Sequence, residues 1–130
     1  MCARAGVVYF ATTGDNRIWA YDVASQNLLI LYDESTSATP ILSGIDNIDL
    51  SADGDVLAAE DGGDMQIVAI TPQGSVLPIL QVTGQPRSEI TGPAFDPSGT
   101  RLYFSSQRGQ TGTSSGGITY EVSGPFVAPA

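Results

Sequence analysis

Oxygen-bearing side chains carry most of the chemistry this sequence offers. Asp46 and Asn47 stand together where an apolar strand-like segment begins, and Glu89 stands just before the next comparable segment. Calcium takes about six to eight oxygen ligands, mixed from carboxylates, amide carbonyls and water. Carboxylates and an amide entering one space from neighbouring strands therefore suit a hard cation. Asp61 belongs to a denser acidic run, Glu60-Asp61-Gly62-Gly63-Asp64, which can also ligate a cation. Each feature has a plainer alternative: Asp46 and Asn47 can bond turn backbone, Glu89 can be a solvated loop residue, and the acidic run can be a solvated turn. Asp53-Gly54-Asp55 resembles the start of a calcium loop, but the glutamate that closes an EF-hand is missing and a hairpin turn is expected there. Arg87 and Arg108 lie in loops beside the same segments. The planar donor fork of arginine suits phosphate, so both are candidates for contact with an anionic substrate, with pairing to carboxylates as the alternative. The glycine-rich stretch from Gly109 to Gly117 lacks the Gly-Lys-Ser/Thr ending of a P-loop.

Composition removes several other chemistries. The 130-residue chain has no histidine, which excludes Ser-His triads and histidine-based zinc sites within it. The single cysteine, Cys2, can form neither an internal disulfide nor a cysteine-based zinc site, and it reads as a terminal residue without a role. Net charge is −9, and the five basic residues are Arg4, Arg17, Arg87, Arg101 and Arg108. A chain this acidic, with no basic patch, repels phosphate backbones, so no nucleic-acid partner is expected. No apolar run reaches the roughly 18 residues needed to span a bilayer, and no signal-peptide core follows the first residues.

The elements that must position these residues are strands. Leu50-Ser51-Ala52-Asp53-Gly54-Asp55-Val56-Leu57 aligns with Phe95-Asp96-Pro97-Ser98-Gly99-Thr100-Arg101-Leu102. Each has an apolar residue, a polar turn containing Gly and then a strand, at an offset of about 45 residues, the length of a β-propeller blade. Ile18-Trp19-Ala20-Tyr21 likewise tracks Ile67-Val68-Ala69-Ile70, and Leu28 to Leu31 match Leu77 to Leu80. The middle unit predicts strands near 47–50, 56–60, 66–71 and 76–82, and the third near 92–95, 101–106 and 117–122, with a long Gly/Ser/Thr loop over 107–116. The first unit reads as lacking its innermost strand. No helical periodicity of useful length appears. The expectation is a single all-β region of about two and a half four-stranded antiparallel β-propeller blades, over about 7–33, 44–83 and 90–126. A small β-sandwich is the alternative. Propellers close with about four to eight blades, so the chain reads as a C-terminal fragment of a larger propeller. Missing neighbours are expected to leave Leu28–Tyr32 and Leu102–Phe104 partly uncovered.

Several motifs in order resemble one family. Gly44-Ile45-Asp46-Asn47-Ile48 followed by Ala59-Glu60-Asp61-Gly62, then Ser88-Glu89-Ile90-Thr91-Gly92-Pro93-Ala94-Phe95, then Asp96-Pro97-Ser98-Gly99 with Leu102-Tyr103-Phe104 and Gln107-Arg108-Gly109, and finally Ile118 to Phe126, are similar to the closing blades of PhoX-like proteins. The resemblance spans about residues 6–126. It implies a bacterial, exported β-propeller, periplasmic or extracellular, whose best-known members are alkaline phosphatases using calcium and iron on phosphate monoesters. It implies metal roles for Asp46 and Glu89. It also implies that the rest of the propeller supplies further ligands, so this chain alone is expected to show no phosphatase turnover. Arg108 stands where related phosphatases often have histidine after the glutamine. A non-catalytic binding or scaffold propeller and a calcium-dependent lactonase-like propeller are the alternative functions.

Overall fold

The structure, a computed structural model, describes residues 1–61 and 63–126. It is all-β, with no α-helix among the described residues. The strands are β1 (Cys2–Arg4), β2 (Val7–Thr12), β3 (Arg17–Asp22), β4 (Asn27–Asp33), β5 (Ile45–Leu50), β6 (Val56–Glu60), β7 (Gln66–Ile70), β8 (Val76–Gln81), β9 (Ile90–Phe95), β10 (Arg101–Ser106) and β11 (Ile118–Ser123). They form three antiparallel meanders, β1-β2-β3-β4, β5-β6-β7-β8 and β9-β10-β11, in which each strand pairs with its neighbours in sequence. The strands of the second and third units lie within two residues of where the sequence puts them. The long loop before β11 contains one short 3-10 turn, Ser114–Gly116.

The first sheet corrects the sequence reading. Its innermost strand is present: β1 pairs with β2 through Cys2↔Tyr9, Ala3↔Val8 and Arg4↔Val7. Ala5 and Gly6 form the two-residue turn between them, with φ of 51° and 80°. Two successive positive φ values match the twist of a tight hairpin. An alanine in the first of these positions conceals the turn, because Asn, Asp or Gly is the usual signal there. Cys2 is accordingly a strand residue, half-buried and packed on the core, and not an idle terminus.

The sheets stack face to face, and the two cores lie between them. Ile18 and Tyr32 of the first sheet pack with Ile48, Val56, Ala58, Val68 and Ile70 of the second. Leu57, Ala59 and Ile67, on the other face of the second sheet, pack with Ile90, Leu102 and Phe104 of the third. Covered on both sides, β6 and most of β7 are buried at every position, which explains why they read as continuous apolar runs instead of alternating ones. Leu102 and Phe104 are therefore enclosed, at 0% and 3% exposure. That corrects, at these two positions, the expectation that Leu102–Phe104 is partly uncovered; Tyr103 between them is half-exposed. Leu28, Leu29 and Ile30 on the edge strand β4 are open, as expected, at 53%, 56% and 44%, whereas Tyr32 is buried.

The repeat is structural as well as sequential. The turn after β5 closes with Gly54 N–H donating to Ser51 O at 3.0 Å, and the turn after β9 closes with Gly99 N–H donating to Asp96 O at 2.9 Å. Register slips recur at matching places, next to Leu31 between β3 and β4 and next to Ile79 between β7 and β8. The first strands of the sheets gather together, with β5 touching both β1 and β9.

Candidate functional site

The candidate residues sit at the end of the stack where β5 and β9 begin. Gly44 sets the entry to β5. Its φ is +61°, and a Cβ there would lie 3.1 Å from Asp61 O. The close approach is needed because Asp61 N–H donates to Gly44 O at 2.6 Å. This contact seals the end of the β5–β6 pair and brings Asp61, an exposed residue, to the same end as Asp46. Ile45 pairs with Glu60 and Asn47 with Ala59, so Asp46 is the extra residue of a β-bulge. Bulges redirect side chains and are common beside functional sites; here Asp46 is exposed.

Asn47 does something the sequence did not reveal. Its Oδ1 accepts hydrogen bonds from Thr91 Oγ1 at 2.7 Å and from Gly92 N–H at 2.9 Å. The side chain thus ties the start of the second sheet to the start of the third, and both of its carbonyl lone pairs are engaged.

Glu89 precedes β9 and is mostly covered, with its side chain 14% exposed, and its Oε1 lies 3.1 Å from Nη2 of Arg108. The pairing of β9 with β10 brings the two together: Gln107 N–H donates to Glu89 O at 2.9 Å. A buried polar knot braces this segment. Arg108 N–H donates to Ser88 Oγ at 2.8 Å, Ser88 and Ser106 share a hydrogen bond of 2.7 Å, Ser106 donates to Gln85 Oε1, and Gln85 Nε2 donates to the Tyr120 hydroxyl at 2.7 Å. Gln85, Ser88 and Ser106 are all buried. Sequence reading missed them because single polar residues in a loop or at a strand end carry no local signal of burial. Arg87 is exposed and donates from Nη2 to Thr111 O at 2.9 Å, which holds the loop before β11.

Among the described residues, Glu60 is the one carboxylate of this end that is fully enclosed, at 3% exposure. Burial pushes its carboxyl above the usual range, opposed by backbone N–H groups of Gln66 and Ser43 and helped by the nearby charge of Asp64. The bond from Gln66 N–H to Oε2 is 3.1 Å.

The structure therefore joins Glu89 to Arg108 and Asn47 to β9, and leaves Asp46 and Asp61 exposed at the end of the second sheet. Among the described residues, no three His, Cys, Asp or Glu side chains converge as a metal group. A cavity of about 290 Å³ opens elsewhere, between the first and second sheets, lined by Val7, Tyr9, Ala20, Leu29 and Leu31 among others; no candidate residue lines it. No helix among the described residues is long and apolar enough to cross a membrane. Compared with known proteins, the chain matches no protein-family model, no curated protein and no solved structure.

Proposed function

We propose that the chain forms consecutive blades of a PhoX-like β-propeller and contributes carboxylate ligands to a calcium site that serves a phosphate monoester or another small anionic substrate. The observation that carries the propeller reading is the arrangement of three meander sheets, stacked by their faces, with their first strands gathered and the same turn in the second and third sheets about 45 residues apart. In this reading Asp46, exposed on its bulge, and Glu89, at the start of β9, supply oxygen to calcium. Asn47 holds the two strands in register, and Asp61, tied to Gly44 at the same end, adds a further ligand. In the same reading Arg108 and Arg87 meet the anionic group. The remaining ligands, and any iron, come from outside these three sheets.

Arg108 makes the reading testable, because it competes with a cation for Glu89. Calcium is titrated by calorimetry into the complete propeller that carries this chain and into its Asp46→Asn, Glu89→Gln, Arg108→Gln and, as a control, Glu121→Gln variants. Asp46→Asn and Glu89→Gln are expected to weaken binding about tenfold each. Arg108→Gln is expected to tighten it by releasing Glu89, and the control to change nothing. Calcium also raises the melting temperature of the unaltered chain, because a ligand that binds only the folded state stabilises it. Equal calcium affinity in all five proteins removes the site.

A scaffold propeller without catalysis is the second reading. It is favoured by one observation: Glu89 and Asn47 already have protein partners. There the Glu89–Arg108 pair is structural, calcium leaves the melting temperature unmoved, and Arg108→Gln lowers it.

A further inference from the structure

We infer that the cleft between the second and third sheets binds a small aromatic ammonium ion, with its ring beside Phe95 and Phe126 and its ammonium group on Asp55. The cleft lies where β5 and β9 end, whereas Asp46 and Glu89 stand where those strands begin, so it is independent of the calcium reading. It is a cavity of about 350 Å³, at the small end of the range that ligand pockets occupy. Asp55, Leu57, Ala69 and Ile79 of the second sheet form one wall, and Phe95 and Phe126 form the other.

Alternation and pairing build these walls. Leu57 and Ala59 pack toward the third sheet, so Asp55, two residues before Leu57, faces the same way. Leu57 pairs with Ala69 across β6 and β7. The backbone of Asp55 is pinned on both sides by Ser51, a buried residue. Ser51 N–H donates to Asp55 O at 2.9 Å, and Asp55 N–H donates to Ser51 Oγ at 3.1 Å. Across the cleft, Phe126 packs on the core shared by the two sheets and meets Phe95 edge to face, with ring centroids 5.4 Å apart and planes at 68°. Aromatic rings in this setting offer a further ring a place to pack and attract a nearby cation.

Asp55 decides the class of ligand. Among the described residues it is the one charged side chain that lines the cavity. Its carboxylate forms no ion pair and accepts no hydrogen bond from any described residue. Burial, reinforced by the charge of Asp53, pushes the carboxyl above its ordinary value. The fold does not require an acid there. The pair Ala11 and Ile18 in the first sheet matches Ala59 and Ile67 in the second. Val7, four residues before Ala11, therefore stands where Asp55 stands before Ala59, and Val7 lines the corresponding cleft between the first and second sheets. An apolar residue satisfies the packing at that position, and Asp55 adds a charge to it. A cation answers that charge, and the apolar walls require the cation to carry an apolar body. A primary ammonium group also brings N–H donors for charge-assisted bonds to the carboxylate. A calcium ion would find one carboxylate among aliphatic and aromatic side chains, far from the six to eight oxygens it takes.

Benzylamine, a cation at neutral pH, and benzyl alcohol, its neutral counterpart of the same size, separate charge from fit. Each is titrated into the chain, whose own sheets supply both walls, and followed by backbone amide NMR shifts. Ligands this small are expected to bind at about the millimolar level, with shifts centred on Leu57, Ala69 and Phe95. Benzylamine is expected to bind about tenfold more tightly than the alcohol. Asp55→Asn keeps the shape and the Ser51 bonds, and should bring benzylamine down to the level of the alcohol while leaving the alcohol unchanged. Phe126→Ala should weaken both ligands. Asp53→Asn, in the same turn but outside the cavity lining, should keep the preference for benzylamine. Equal affinity for the two ligands in the unaltered chain, or no binding of either, overturns the inference. A preference that Asp53→Asn removes as fully as Asp55→Asn also overturns it, in favour of a general attraction of cations to a chain that carries −9.

Discussion

Asn47 and Glu60 show how one polar side chain can organise an end of the stack. Asn47 supplies the acceptor for both Thr91 and Gly92 across the seam between the second and third sheets. Asn47→Ala removes both bonds, with water free to reach the exposed Gly92 N–H, and is expected to cost about 1 kcal/mol in denaturant unfolding. Asn47→Asp keeps an acceptor oxygen there and should cost much less. Glu60 has a carboxyl pushed above its ordinary value of 4.5, burial being the largest cause. A carboxyl whose folded-state value is raised contributes its full stability below the unfolded value and loses it as pH rises through the folded one. Melting temperatures recorded from pH 4.5 upward should therefore fall more steeply for the unaltered chain than for Glu60→Gln; parallel curves would mean that Glu60 titrates normally. Position and residue type made Asp46, Asn47 and Glu89 legible from sequence. Their partners were not legible, because Thr91 and Arg108 reach them only through sheet stacking and the β9–β10 pairing, neither of which leaves a local signal.

Strand positions were largely readable, and their junctions were not. The turns at Gly54 and Gly99 announce themselves through Asp, Ser and Gly, whereas the Ala5-Gly6 turn places alanine at a φ of 51° and so hides β1. The bulge at Asp46 was equally silent, since a bulge adds one residue without changing the apolar pattern around it. Gly44 is where backbone and site meet. Its left-handed φ and the 3.1 Å approach to Asp61 O make any side chain there strained and crowded. Gly44→Ala should cost about 1–2 kcal/mol from the backbone conformation alone, with more from displacing Asp61, as measured by urea unfolding. If the bulge carries a calcium ligand, the same substitution should also weaken calcium binding, although the added methyl group would touch no metal.

At the scale of the molecule, the repeat in the sequence revealed the sheets and their order but not the difference between the two ends of the stack. That difference is visible only once the register assigns each residue to a face: aromatic and aliphatic on the outside of the first sheet, hydroxylic and charged on the outside of the third. The meander itself has a consequence for how the chain reaches this state. Every strand bonds only to strands adjacent in sequence, so its contacts are local and loop closure costs little, conditions that favour rapid folding. A chain emerging from the ribosome can complete the first sheet before the second exists. For that interval the face of the first sheet that carries Ile18 and Tyr32 waits for its partner. Docking of the second sheet covers it, and the third sheet then closes the other face of the second.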